Sequence, residues 1–340
     1  MNRQNRFPRV GIASVVIVAM LASSGGVAAN AFEIDGTEEA VDVVSSAAEI
    51  HPQADEVTQV PLQPLNGALV SAGEDATVSV PRAFSDPIEI SPAGTWGGEL
   101  TGLTIGLPEQ VQSAEVSVAQ DGSAVGEGSE VTGVIQALEG GLRISTVITG
   151  PDAPGRLSYA LPDDVDIAIN EDGSASLSRT AVDDGTEVLT ATIGRIGTPW
   201  ATDARGQRIA THYEVSGSKL VQVVDHHQDG VAYPVVADPT FWWGWNVYLS
   251  NSVVGQVVKV ILAGAGAAVL ASRLIALVPG IGTVAVNVTS LAGALLGFGA
   301  ALLNVCNIKS RGVWVGHTWV TGVLPFAPTV MRSGYFCVPN

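Results

Sequence analysis

No aspartate or glutamate follows Asp238, so the last 102 residues of this 340-residue chain must pack, or meet a surface, without acidic side chains. All 33 acids lie in 32–238 beside eight bases, a net charge of −25 there. Residues 239–340 carry Lys259, Arg273, Lys309, Arg311 and Arg332, a net +5. An overall charge of −17 argues against a nucleic-acid partner for the chain as a whole. Charged residues are only 14% of the total and hydrophobic residues 46%, which excludes wholesale disorder. The length allows two domains.

The acid-free tail contains two apolar stretches, Val253–Leu277 and Ile281–Val305, separated by Pro279-Gly280. Each is long enough to cross a bilayer core as a helix, and the Pro-Gly pair ends one and starts the next. Ser252, Lys259, Gly266 and Arg273 recur every seven residues and would form one stripe on a continuous helix. Gly293 and Gly297 make a G-x-x-x-G face of the kind that lets helices approach closely in lipid. Trp242, Trp243 and Trp245 at the entry, with Trp314 and Trp319 beyond the second stretch, stand where interfacial anchors are useful. The expected element is an apolar, cationic helical hairpin over 240–340. Two buried helices of a soluble core would carry the same pattern, and so would a plain membrane anchor.

Arg3, Arg6 and Arg9 precede the apolar run Val10–Ala22, and small residues follow up to Ala29-Asn30-Ala31. Basic start, short apolar core and A-x-A close are the three parts of a secretory signal cut after Ala31; an uncleaved anchor is the alternative. The chain is therefore expected to be secreted or held in the cell envelope. Its two cysteines, Cys306 and Cys337, are then expected to close the tail with a disulfide, the alternative being two buried thiols.

Residues 32–75 are acidic and broken by Pro52, Pro61 and Pro64, and read as a flexible leader. From Ala76 to Pro239 short alternating runs such as Thr77–Val80, Ile88–Ile90 and Leu142–Ile148 predict an all-β sandwich or barrel. Asp121-Gly-Ser-Ala124 and Asp172-Gly-Ser-Ala175 carry the same tetrapeptide, which predicts type I′ hairpin turns. Shared turn chemistry, or a duplicated β unit, would explain the repeat. Pro234 should sit at an edge or bulge, because it cannot donate to a ladder. The whole is a multidomain reading: β-rich middle, helical hairpin, disulfide-closed end.

Four stretches, Pro199-Trp-Ala-Thr-Asp-Ala-Arg-Gly206, Thr211-His-Tyr-Glu-Val215, Leu220-Val-Gln-Val-Val-Asp-His226 and Tyr233-Pro-Val-Val-Ala-Asp-Pro239, carry a resemblance. Together they resemble exported actinobacterial proteins of poorly defined function, in which a β-rich N-terminal module ends at such a segment and varied C-terminal regions follow. The resemblance covers about residues 75–239. It implies export and modularity and carries no catalytic residues.

Chemical motifs are sparse, and no enzyme is expected. Lys259–Ala268 imitates a G-x-G-x-x-A dinucleotide turn, but the ribose-binding acid about 20 residues on is absent. No G-x-S-x-G elbow occurs. Asp164, Asp166, Asn170 and Asp172 lack the EF-hand order and read as solvated turn acids. His212 with His226 or His227 could hold a metal only if one of the adjacent pair faces it, since neighbours on a strand point to opposite sides. His317 reads as an interfacial or core histidine. No cofactor or metal is expected. The expected partner is a lipid bilayer, with masking of the tail by the acidic middle, and self-association through the hairpin a further possibility. The function that fits is a bacteriocin-like or pore-forming precursor; the alternative is a non-toxic envelope protein whose hairpin anchors a β binding module.

Overall fold

The computed structural model describes residues 36–51, 58–73, 76–92, 102–183, 186–278, 280–281, 288–317, 330–332 and 335–340. The expected signal, with Ala29 and Ala31, and Trp319 lie outside them.

The chain is mostly β-sheet, because its middle alternates apolar and polar residues between turn signals. A first antiparallel sheet is a meander of β1 (Gln63–Leu65), β2 (Ala68–Ala72), β3 (Ala76–Val80), β4 (Ile88–Pro92) and β5 (Leu103–Ile105). The largest sheet is built around β8 (Val131–Leu138) and β9 (Gly141–Ile148), with β6 (Val116–Val118) and β7 (Ala124–Glu127) on one side. Every residue of β8 and β9 is buried. Strict alternation fails there because both faces are covered. On one face helix α1 (Gly36–Ala48) lays Val41 and Val44 against Val125, Val134, Val147 and Val236. The sequence predicts a flexible leader over 32–75; that stretch instead includes α1, β1 and β2.

A three-stranded sheet follows, β10 (Arg156–Ala160), β16 (Lys219–Val224) and β15 (Thr211–Ser216), in that spatial order. Between them in sequence, β11 (Asp166–Ile169), β12 (Ala175–Asp183) and β13 (Thr186–Ile196) extend the large sheet, and β14 (Trp200–Thr202) pairs with β17 (Val235–Asp238). Pro234 stands one residue before β17, outside the ladder, where its missing N–H costs nothing. The repeated tetrapeptide builds the same clasp twice. Ser123 and Ser174 each donate both backbone N–H and hydroxyl to the aspartate two residues earlier. Only the glycines, Gly122 (φ 85°) and Gly173 (φ 79°), enter the left-handed region, so these are not the expected type I′ turns, which need two such residues. The amide of Gly122 instead closes onto the Ala119 carbonyl, and that of Gly173 onto Asn170, as in a type I turn followed by a left-handed glycine.

The expected boundary at 239/240 falls between β17 and β18 (Thr240–Leu249), and both strands pair with β9. β18 also pairs with β13 and with β19 (Val313–His317), which continues to β21 (Tyr335–Pro339) and β20 (Val330–Arg332). Between β18 and β19 the chain makes three helices, α2 (Asn251–Leu262), α3 (Ala267–Leu277) and α4 (Val288–Cys306). The first apolar stretch is thus two short helices rather than one span. Ser250 caps α2 by accepting from the Val253 amide, and Gly264, at φ 77°, turns the chain out of it. Val254, Val257, Leu270, Leu274, Leu295 and Phe298 from these helices belong to the same apolar core as Phe241, Trp243 and Trp245 of β18. Cys306 at the end of α4 forms a disulfide with Cys337 of β21, their Cα atoms 6.1 Å apart. Closing that 31-residue separation contributes about 3–4 kcal/mol by the chain-entropy account.

Candidate functional site

The three helices bury one side and leave the other uncovered. Leu262 is 73% exposed and Val269 54%, and Ile275, Val305 and Ile308 are exposed as well. Lys259, Arg273, Lys309 and Arg311 are also exposed. The two kinds of residue are interleaved. Lys259 lies one turn before Leu262, Arg273 one turn after Val269, and Lys309 one turn beyond Val305. Among the described residues no ion pair joins these cations to an acid. The expected stripe of Ser252, Lys259, Gly266 and Arg273 is exposed throughout, but the break at 263–266 divides it between two helices.

Leu262 and Val269 flank the turn that joins α2 to α3. The turn between them, Ala263-Gly-Ala-Gly-Ala-Ala268, has no polar side chain. Lys259 and Arg273 are set back three and four residues from its shoulders, about 4.5 and 6 Å at helical rise. The result is an exposed apolar tip, 262–269, with a cation on the helix at either side as its collar.

The tryptophans occupy other places. Trp243 and Trp245 are buried in the core, and Trp242 is half-buried. Trp314 is half-buried on β19, its ring 5.5 Å from that of Tyr248 and its indole N–H donating to Asn340. His317 packs against Tyr335, with ring centroids 4.6 Å apart. Cβ atoms built at Gly293 and Gly297 meet nothing within 4 Å among the described residues, so the small residues are not called for there by a close approach of the described chain. By length and composition α4 can cross a membrane, but at Gly299 (φ 70°) its backbone leaves the helical region.

Where β17 hands over to β18, a polar cluster is buried inside the sheet. Asp238 and Arg143 of β9 face each other at 3.7 Å, both buried. The Thr240 hydroxyl donates to Asp238 at 2.6 Å, and the Trp200 side chain donates to it from β14. Burial pushes the Asp238 carboxyl up to about 7, and the Thr240 hydroxyl, the Arg143 charge and the Trp200 N–H oppose that rise. Burial also lowers the pKa of Arg143. The segments that carry the sequence resemblance therefore converge: Trp200 sits opposite Asp238 in the ladder, and Asp203 accepts from the amides of Arg205, Gln207 and Ala232. Nothing in the sequence singles out this cluster. A lone acid beside proline looks the same buried or solvated.

The histidines do not assemble. His212 pairs with Glu214 at 3.4 Å on the surface. β16 ends at Val224, so His226 and His227 are past the strand and their rings meet at a tilt, centroids 4.0 Å apart, rather than pointing to opposite faces. Among the described residues no three His, Cys, Asp or Glu side chains are gathered as metal ligands.

No family model matches the chain, and no curated protein matches it. Among solved structures it is similar to the gh92 family glycosyl hydrolase ccman5, at 12% identity and a TM-score of 0.27. The match covers 68% of this chain, which spans only 36% of that one. A likeness so slight carries no argument about fold or chemistry.

Proposed function

We propose that this is an exported protein that docks on an anionic membrane surface through its three-helix lobe and holds its acidic β body off that surface. The observation that carries the reading is the tip at 262–269: exposed apolar residues, a collar of two cations, and no acid anywhere in the tail. An amphipathic element of this kind beds about 5–10 Å into the head-group boundary, which matches the set-back of Lys259 and Arg273 from Leu262 and Val269. Each basic side chain near such a surface is worth about 1 kcal/mol. The strong negative charge of the β body then favours an orientation with the lobe toward the lipid.

A second reading, a bacteriocin-like or pore-forming precursor, draws on α4, which is long and apolar enough to cross a bilayer. The docking reading is preferred because the entry strand of the tail, β18, is paired on both edges within the sheet, so a cut near Asp238-Pro239 would not free the helices.

The test is cosedimentation of the purified intact chain with phosphatidylglycerol or phosphatidylcholine vesicles. Binding should require the anionic lipid. Leu262→Asp with Val269→Asp should weaken it about a hundredfold or more. Lys259→Gln with Arg273→Gln should weaken it roughly thirtyfold. Neither pair should lower the melting temperature appreciably, since all four side chains are exposed. Binding indifferent to lipid charge and to both pairs contradicts the proposal; dye release from the vesicles would favour the pore-forming reading.

A further inference from the structure

On the β body a cleft of about 560 Å³ opens between His51, just past the end of α1, and the strands β14 and β15. Its size is that of a small-molecule site. One wall is formed by a ring stack and a hydrogen bond. The His51 ring lies flat on Trp200, centroids 4.3 Å apart and planes 21° from parallel, and His51 Nε2 is 2.6 Å from the Thr202 hydroxyl. Trp200 is itself held from behind, because its side chain donates to the buried Asp238.

The cleft also holds a cation that no acid joins among the described residues. Five arginines of the acidic region, Arg143, Arg156, Arg179, Arg195 and Arg205, each face a carboxylate. Arg208 lines the cleft, is exposed, and has no acidic partner among the described residues, in a region whose net charge is −25. Its position is fixed by the bridge between Thr202 and Arg208 and by the Ile209 amide, which donates to the Ala201 carbonyl. Thr211 adds a donor: its hydroxyl oxygen accepts from Gln222 Nε2 at 3.2 Å, which leaves its own proton to point elsewhere. Pro199 and Ile209 supply apolar surface.

We propose that this cleft binds a small molecule made of one carboxylate head on a flat apolar body. The guanidinium of Arg208 would take the carboxylate as a charge-assisted, two-pronged partner. The Trp200–His51 stack and the apolar residues would take the body. A single cation suits a single anionic charge; a polyphosphate would meet the acidic surroundings unneutralised.

The test uses the intact chain without lipid, so its result is separate from that of the membrane experiment. Phenylacetate is titrated while the ring resonances of His51 are followed by NMR, with phenylacetamide as the uncharged probe. Phenylacetate should shift the His51 signals in a saturable way at millimolar concentrations. Phenylacetamide should bind about tenfold more weakly or worse, as should phenylacetate to Arg208→Gln, whose melting temperature should stay that of the parent. Arg208→Lys should recover part of the affinity. Absence of any saturable shift at His51, or equal affinity in the parent and Arg208→Gln, overturns the proposal.

Discussion

Asp238 ends the strand that closes the β body, and its carboxyl is the most perturbed acid of that junction. With an ordinary value of 3.8 and a folded value of about 7, the folded chain holds a proton on Asp238 that the unfolded chain has lost. The sign follows from linkage. The stability Asp238 contributes is full below about pH 4 and is lost as pH rises through about 7. A rise of that size corresponds to roughly 4 kcal/mol as an upper bound. In Asp238→Asn this titration is gone, while Arg143 remains buried. Urea unfolding at pH 4.5 and 7.5 should therefore show the parent losing stability relative to Asp238→Asn across that interval; a constant difference would contradict the raised value. Nothing in the residue pattern announces the cluster. What the sequence marks is its place: the composition changes abruptly after Asp238, and the Trp200 and Asp238 stretches both belong to the resembling segments. That they are ladder partners is a long-range fact, set by the β14–β17 pairing.

At the scale of elements, β18 is the piece on which the fold turns. Its run Thr240–Leu249 is rich in aromatic residues and stands next to an apolar tail, so read locally it belongs with a membrane entry. Tertiary pairing decides otherwise. Phe241 is fully buried, opposite Leu142 in one ladder and Ile196 in another. Phe241→Ala should cost about 3–5 kcal/mol. Because the same core continues into α2–α4, β-sheet and helix signals should then melt together at a lower temperature by circular dichroism. Separate transitions, with the helices unaffected, would mean that the lobe folds alone. The apolar helices are legible in the sequence, but their lengths are not. Gly264 and Gly266 each cost a helix only about 1 kcal/mol, so an apolar stretch that contains them reads as continuous until packing selects the turn. The α1 segment reads as leader because its small apolar residues stand among acids and serines and prolines follow. Only the docking of Val41 and Val44 on a sheet face, invisible to composition, makes it an element.

For the whole molecule, residues 35–340 form one compact unit in which the charge segregation of the sequence becomes a polarity of structure. Most of the described acids of 36–238 are exposed on the β body, and four tail cations sit on or just after the helices. The separable hairpin expected from the sequence gives way to a lobe tied into the sheet at both ends, by β18 and by β19–β21, and closed by the Cys306–Cys337 disulfide. That arrangement suits a dock more than a detachable weapon. The direct measurement is depth. Both cysteines are in the disulfide, so a single fluorophore can be placed at Ala263→Cys on the tip or at Ser216→Cys on the β15–β16 turn. On anionic vesicles that contain lipids brominated near the head of the acyl chain, the label at 263 should be quenched and the label at 216 should not. Equal quenching at both positions, or none at 263 with the protein bound, would contradict docking through the lobe.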